Sequence, residues 1–281
     1  MEKDSIKRVS DIKTFYKFSI KEKICTNQYK ELMHYWITGI TYGNNKIYLA
    51  DLMNSRIYTL IDNQIGLLKI DSMPFNPASV LLSNNLLYMP DFQNKDIKIL
   101  NIDSNSIKTI SLKSLDIDRI LITRSKNNIF LLTTKNEYDS SQSLNLYSLK
   151  NERIIFKHGI KLSNSTSLLV IKLFINDGQF YIGTRNGDII NISNPHEYFV
   201  EYSISDQGIG SINDLCKIKN DWFFLDHDNN EIIKIADDRR KIFKWKNTLN
   251  GWLLKFEYIK ERLVVTTGDF NNEIKIFVFD I

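Results

Sequence analysis

Ile47-Tyr48-Leu49-Ala50-Asp51-Leu52-Met53-Asn54-Ser55-Arg56-Ile57-Tyr58 lies without a gap over Leu87-Tyr88-Met89-Pro90-Asp91-Phe92-Gln93-Asn94-Lys95-Asp96-Ile97-Lys98. Each copy is an apolar strand, a polar turn and a second apolar strand, and Asp91 follows Asp51 by 40 residues. A repeat of about that length built only of strands marks a propeller blade. Outward from this pair the hairpin recurs. Its first strand is preceded in turn by Asn44-Asn45, Asn84-Asn85, Asn127-Asn128, Asp177-Gly178, Asn220-Asp221 and Lys260-Glu261. Asn, Asp and Gly accept the positive φ that tight hairpin turns require. The second strand opens at Arg56-Ile57, Asp96-Ile97, Asn145-Leu146, Asp188-Ile189, Glu231-Ile232 and Glu273-Ile274. An inner strand upstream, as in 39–42, 79–82 and 214–218, and an outer strand downstream bring each blade to four strands.

The predicted fold is all-β: a six-bladed β-propeller of four-stranded blades, in one domain over residues 1–281. The last repeat supplies only three strands. Its fourth is read at the other end, where Thr14-Phe15-Tyr16-Lys17-Phe18-Ser19-Ile20 has the alternation and aromatic content of an outer strand and matches Glu197-Tyr198-Phe199-Val200-Glu201-Tyr202-Ser203-Ile204. Residues 14–20 are therefore expected to complete blade six, close the ring and cover an open sheet edge.

Apolar residues at 43% and charged residues at 25% place the chain among folded globular proteins. The 37 basic and 33 acidic groups are spread over the repeats, so no membrane or nucleic-acid footprint is expected. The charged start Met1-Glu2-Lys3-Asp4-Ser5-Ile6-Lys7-Arg8 lacks the apolar run of a signal peptide, and the cytoplasm is the expected compartment. Cys25 and Cys216 are too few for a disulfide framework and are expected as reduced thiols.

Leu49-Ala50-Asp51-Leu52-Met53-Asn54-Ser55-Arg56-Ile57 resembles the heart of an NHL repeat, in which a strand ends in Ala-Asp, a short turn carries Asn, and Arg-Ile opens the next strand. Blade two keeps Asp91 and Asn94, and blade five keeps Asp226 and Asn229. Blades three, four and six put Thr133-Thr134, Gly183-Thr184 and Thr266-Thr267 there instead. The resemblance implies kinship with the broad NHL, strictosidine-synthase-like and SMP-30-like group. That group includes protein-binding and RNA-binding modules as well as lactonases and cyclases, so it implies no single activity.

In such a ring the loops between second and third strands open around one mouth of the central channel, together with the lead-ins to each blade. That mouth collects Asp51, Asp91, Arg185, Asp226 and His227, with His34, Tyr35, Trp36, Phe75, Asn76, Asn213 and Trp252 from the lead-ins. A ring of carboxylates there would suit Ca²⁺, which takes six to eight oxygen ligands. The competing reading, that each Asp closes its own turn, explains the matched Asn54, Asn94 and Asn229 and is preferred. No cofactor is expected. His227, flanked by Asp226 and Asp228, and His34 are the candidate general bases. No Gly-x-Ser-x-Gly, Cys-x-x-Cys or His-Glu-x-x-His occurs. Tyr35, Trp36, Phe75 and Trp252 are read either as packing of the closure seam or as a wall for a sugar, a peptide or an apolar small molecule. The polar insertion 134–143 is the candidate lid. The expected function is non-catalytic ligand or partner binding at the mouth. The alternative is a small-molecule hydrolase, lyase or cyclase using the same pocket.

Overall fold

The computed structural model describes residues 14–19, 36–61, 64–68, 70, 75–91, 93–135, 141–163, 169–204, 209–235, 242–246, 251–259, 261–268 and 273–280. The chain is an all-β propeller of four-stranded antiparallel blades. Strand β1 is Thr14–Ser19. Blade one holds β2 (Ile37–Gly43), β3 (Lys46–Asp51), β4 (Arg56–Ile61) and β5 (Gln64–Leu68). Blade two holds β6 (Leu81–Ser83), β7 (Leu86–Asp91), β8 (Asp96–Asn101) and β9 (Ile107–Ser111). Blade three holds β10 (Arg119–Ser125), β11 (Asn128–Lys135), β12 (Ser141–Lys150) and β13 (Arg153–Ser163). Blade four holds β14 (Val170–Asn176), β15 (Gln179–Thr184), β16 (Ile189–Asn191) and β17 (Phe199–Tyr202). Blade five holds β18 (Ile212–Ile218), β19 (Asp221–Asp226), β20 (Glu231–Ile235) and β21 (Ile242–Lys246). These five blades are each four consecutive strands. A further sheet orders β1 against β24 (Glu273–Asp280), then β23 (Arg262–Gly268) and β22 (Trp252–Ile259). In it Tyr16 stands opposite Ile276 and Phe18 opposite Ile274.

The turn chemistry is as the sequence implies in blades one, two and four, where Asn44, Asn45, Asn84, Asn85, Asp177 and Gly178 all have positive φ. In blades three and five the turn falls one residue earlier than predicted. Lys126 (φ 53°) and Lys219 (φ 55°) take the left-handed conformation. Asn128 and Asp221 already pair in the ladder, with Ser125 and Ile218.

Apolar side chains fill the wedges between neighbouring sheets. Leu49 and Tyr58 of blade one pack with Leu254 and Val264 of the last sheet, and Leu215 and Phe224 of blade five pack with Tyr181 and Ile189 of blade four. The inner strands touch in sequence, β2 with β6, β6 with β10, β10 with β14, β14 with β18 and β18 with β22, and β22 returns to β2. At one point this approach is backbone on backbone. A Cβ added to Gly39 would stand 2.6 Å from the Val80 nitrogen and 2.8 Å from the Ser79 Cα. Neither atom can yield without moving blade two. Gly39→Ala is therefore expected to destabilise by about 2 kcal/mol, the scale of an overpacked core; an unchanged urea midpoint would show that the two blades separate freely.

Candidate functional site

The inner strands share a register. Gly39 pairs with Ala50, Arg119 with Thr134, Lys172 with Gly183, Asp214 with Leu225 and Lys255 with Thr266. Ser79 falls in the same place, between the Pro77–Asp91 bridge and the Leu81–Tyr88 pair. Each is followed by a buried apolar residue, in order Ile40, Val80, Ile120, Leu173, Leu215 and Phe256. In β2, β14, β18 and β22 the residue before the shared position is skipped by the ladder, being Thr38, Ile171, Asn213 and Leu254. Such a bulge bends the strand and re-aims the side chains beside it. The consequence is a ring of equivalent positions around the central cavity: Gly39, Ser79, Arg119, Lys172, Asp214 and Lys255.

Around this ring each blade is stitched to another. An Arg119 Nη donates to the Val170 carbonyl at 3.1 Å. Lys172 Nζ lies 2.7 Å from Asp214 Oδ1, which also accepts the Leu215 amide at 2.9 Å. Asp214 Oδ2 accepts the Phe256 amide at 3.2 Å. Lys255 Nζ donates to the Asn213 carbonyl at 2.8 Å. Two residues further along their strands, Cys216 and Glu257 also line the cavity, and an Arg124 Nη donates to the Leu82 carbonyl at 2.5 Å.

The titration of these groups is set by one another. Burial alone would raise the Asp214 pKa, but Lys172 and Lys255 outweigh it and hold the carboxyl below its ordinary value. Burial would lower Lys172, yet Asp214 and Glu257 outweigh it and the pKa is raised. Lys255 is lowered, first by burial and then by Lys172 and Arg119, against the pull of Asp214. Glu257 is pushed up to about 7, by burial first and then Asp214, against Lys172 and Arg124. Burial also raises the Cys216 thiol well above its usual range.

The cavity has a volume of about 1350 Å³ and takes in Trp36, Arg185, Asn213 and His227 at the end where the lead-ins and second turns gather. Trp36 and Trp252 do not stack on each other. The His227 ring neighbours both, its centroid 6.0 Å from that of Trp36, edge to face, and 6.4 Å from that of Trp252. His227 Nδ1 is 3.4 Å from the Leu253 carbonyl. Trp36 is 38% exposed, so this aromatic corner is open on one side. Arg185 is exposed, and its Nε donates to the Ser211 hydroxyl.

The remaining predicted residues fall elsewhere. Asp51, Asp91 and Asp226 are fully buried. Asn54 donates to Asp51 from its amide at 3.3 Å and its side chain at 2.7 Å. Asn94 does the same to Asp91 at 3.0 and 2.8 Å, and Asn229 to Asp226 at 3.1 and 2.8 Å. The amides of Trp36 and Gly210 complete Asp51 and Asp226, and Lys98 reaches Asp91 at 3.4 Å. Burial raises the Asp51 pKa against these hydrogen bonds. These carboxylates hold the turns whose next residues, Ser55, Lys95 and Asn230, have positive φ. They are occupied by backbone amides, by the asparagine side chains and, at Asp91, by Lys98, so neither ligand contact by Asp51 and Asp91 nor catalysis by Asp226 follows from their placement.

Phe75 is a core residue, 3% exposed in the wedge with Tyr48 and Val80. Asn76 joins two turns, accepting from Ser55 at 3.0 Å and donating to Gln93. In blade three Thr134 stands where Ala50 stands, so the position equivalent to Asp51 is Lys135, which pairs with Asp116. Residues 134, 135 and 141–143 of the expected lid are strand, because β11 and β12 run on past the other blades' hairpins. Residues 136–140, like His34, Tyr35 and Cys25, lie outside the described residues. Among the described residues no group of three or more His, Cys, Asp or Glu is placed to hold a metal ion, and no helix is long and apolar enough to cross a membrane.

The sequence matches no protein-family model and no curated protein. Solved structures do match. A luciferin-regenerating enzyme superposes with a TM-score of 0.63 at 13% identity over 88% of this chain and 92% of its own. A catalytically inactive variant of virginiamycin B lyase from Staphylococcus aureus, crystallised with quinupristin, gives 0.60 at 12% identity over 86% and 94%. A nidogen/laminin complex gives 0.57 at 11% identity over 75% and 80%. The likeness is one of fold. Enzymes and a binding protein stand side by side among these neighbours, so the fold does not choose between them.

Proposed function

We propose that this chain is a ligand-binding propeller that takes a small molecule, sugar or peptide at the channel mouth and performs no chemistry on it. The observation that carries the reading is the open corner of Trp36 and His227, which line the end of a cavity of about 1350 Å³, with Trp252 set against His227 and packed on the seam between blade one and the last sheet. Concave, partly apolar sites with a few placed polar groups are where small ligands are held. In this reading residues 1–281 form one domain, the sheet containing β1 serves as a sixth blade, and the packing of β22 on β2 supports the closure. The Asp-x-x-Asn turns of blades one, two and five support a distant tie to NHL-like propellers.

The second reading is a hydrolase, lyase or cyclase at the same mouth, and His227 favours it. The Leu253 carbonyl lies 3.4 Å from its Nδ1, a contact that would orient the ring for proton transfer. Calorimetry against a panel of neutral disaccharides and dipeptides separates the two. Trp36→Ala is expected to weaken a bound panel member by about tenfold, the scale of losing an aromatic anchor. If the bound compound is instead consumed, and His227→Ala keeps binding while abolishing consumption, the enzyme reading replaces the first.

A further inference from the structure

The ring in the channel wall is electrically lopsided. Arg119, Lys172 and Lys255 bring three cations to six equivalent positions, Asp214 brings one carboxylate, and Gly39 and Ser79 bring none. Asp214 is committed to Lys172 and to two backbone amides. Lys255 has no carboxylate within ion-pair distance among the described residues, and its hydrogen bond to the Asn213 carbonyl takes one of its three protons. An ammonium held in a half-buried wall with no carboxylate paired to it directly is incompletely compensated, and either loss of its proton or arrival of an anion removes the deficit. The arrangement lies inside a cavity rather than in a packed core, so an anion has room to enter.

From this charge imbalance we propose that the channel ring binds an oxyanion group, the carboxylate or phosphate of a small molecule, between Lys172 and Lys255. It deepens the channel-ligand reading above and rests on it, by assigning the charged end of the ligand to the ring and the rest to the aromatic mouth. Lys172 retains donors beyond its bond to Asp214, and lysine presents them as a rotatable point charge suited to either oxyanion. Glu257 lines the same cavity, and its charge acts on Lys172. It therefore competes with the oxyanion.

The test is calorimetric titration of the full chain with inorganic phosphate and, separately, citrate, at low ionic strength. Binding of at least one is expected, and the arm that binds tells a phosphate carrier from a carboxylate carrier. Lys255→Met, which removes a contact to the Asn213 carbonyl and one of the two ammonium charges acting on Asp214, is expected to weaken binding by at least about tenfold, the loss of one charged hydrogen bond. Glu257→Gln is expected to move affinity the opposite way, tightening it at pH 8. This second variant guards against a misfolded first one. Failure of both probes to bind the wild type, or binding unaltered by Lys255→Met, overturns the proposal. If neutral compounds bind and are lost in Trp36→Ala while neither oxyanion binds, the ring proposal falls and the mouth reading stands. If the oxyanions bind through Lys255 and no panel compound needs Trp36, the ring stands and the aromatic mouth falls.

Discussion

Asp214→Asn is expected to destabilise the protein by about 3–5 kcal/mol, the penalty for breaking a buried ion pair from one side. The carboxylate is 1% exposed and accepts three hydrogen bonds, from Lys172 at 2.7 Å, the Leu215 amide at 2.9 Å and the Phe256 amide at 3.2 Å. An asparagine of the same shape puts an NH₂ against either a backbone N–H or an ammonium, whichever way it turns. It also leaves three cations in the ring with no carboxylate among the six positions. Because Asp214 ties blade five to blade four through Lys172 and to the last sheet through Phe256, the loss falls on two blade interfaces at once. Against a typical total of about 5–15 kcal/mol this is a large fraction. Urea unfolding measures it, with an unchanged m-value showing that the same surface is exposed. Adding Lys172→Met to Asp214→Asn should recover part of the loss, since it removes the orphaned charge, and the double-mutant cycle gives the coupling. A loss below about 1 kcal/mol for Asp214→Asn would mean that channel water already compensates Lys172, with the pair worth no more than a surface one.

The blades were legible because they are written in neighbouring residues. Alternation over residues 47–58 and a turn residue at a fixed offset decide strand and hairpin locally, and the preferred reading of Asp51, Asp91 and Asp226 as turn closers follows from their own Asn partners three residues on. Trp36, His227 and Trp252 were each placed at the mouth, but their order in space was not legible. The His that neighbours both tryptophans comes from blade five, and its position depends on how far the blades are rotated about the axis. Phe75 stayed open between core and mouth for a related reason, since a lead-in aromatic points to the mouth or to the wedge according to backbone direction alone, and the structure puts it in the wedge. The charged ring escaped altogether. Arg119, Lys172, Asp214 and Lys255 differ in type and sign, so composition does not group them, and the skipped residues Thr38, Ile171, Asn213 and Leu254 hide their common register. A signal was present: in all six inner strands a residue without an apolar side chain directly precedes the buried one, from Gly39-Ile40 to Lys255-Phe256.

Glu257 gives the ring a measurable pH signature. Its pKa is about 7 in the folded chain against an ordinary 4.5. Between those two values the native state holds a proton that the unfolded chain has released, so stability falls as pH rises through the window and levels off above about 7. The shift corresponds to at most about 3–4 kcal/mol at 1.36 kcal/mol per pH unit, reduced by whatever water the channel admits. Glu257→Gln removes the titration, so the variant should match the wild type near pH 4 and exceed its stability near pH 8. The groups that set the window are Asp214, which raises the pKa alongside burial, and Lys172 and Arg124, which oppose it. The remaining side chains are common to both proteins and cancel in the difference. Denaturant midpoints across the range test the point directly. Parallel curves for wild type and variant would mean that Glu257 is already ionised in the channel; its carboxylate would then offset one of the three ring cations, and the positive excess invoked for oxyanion binding would shrink accordingly.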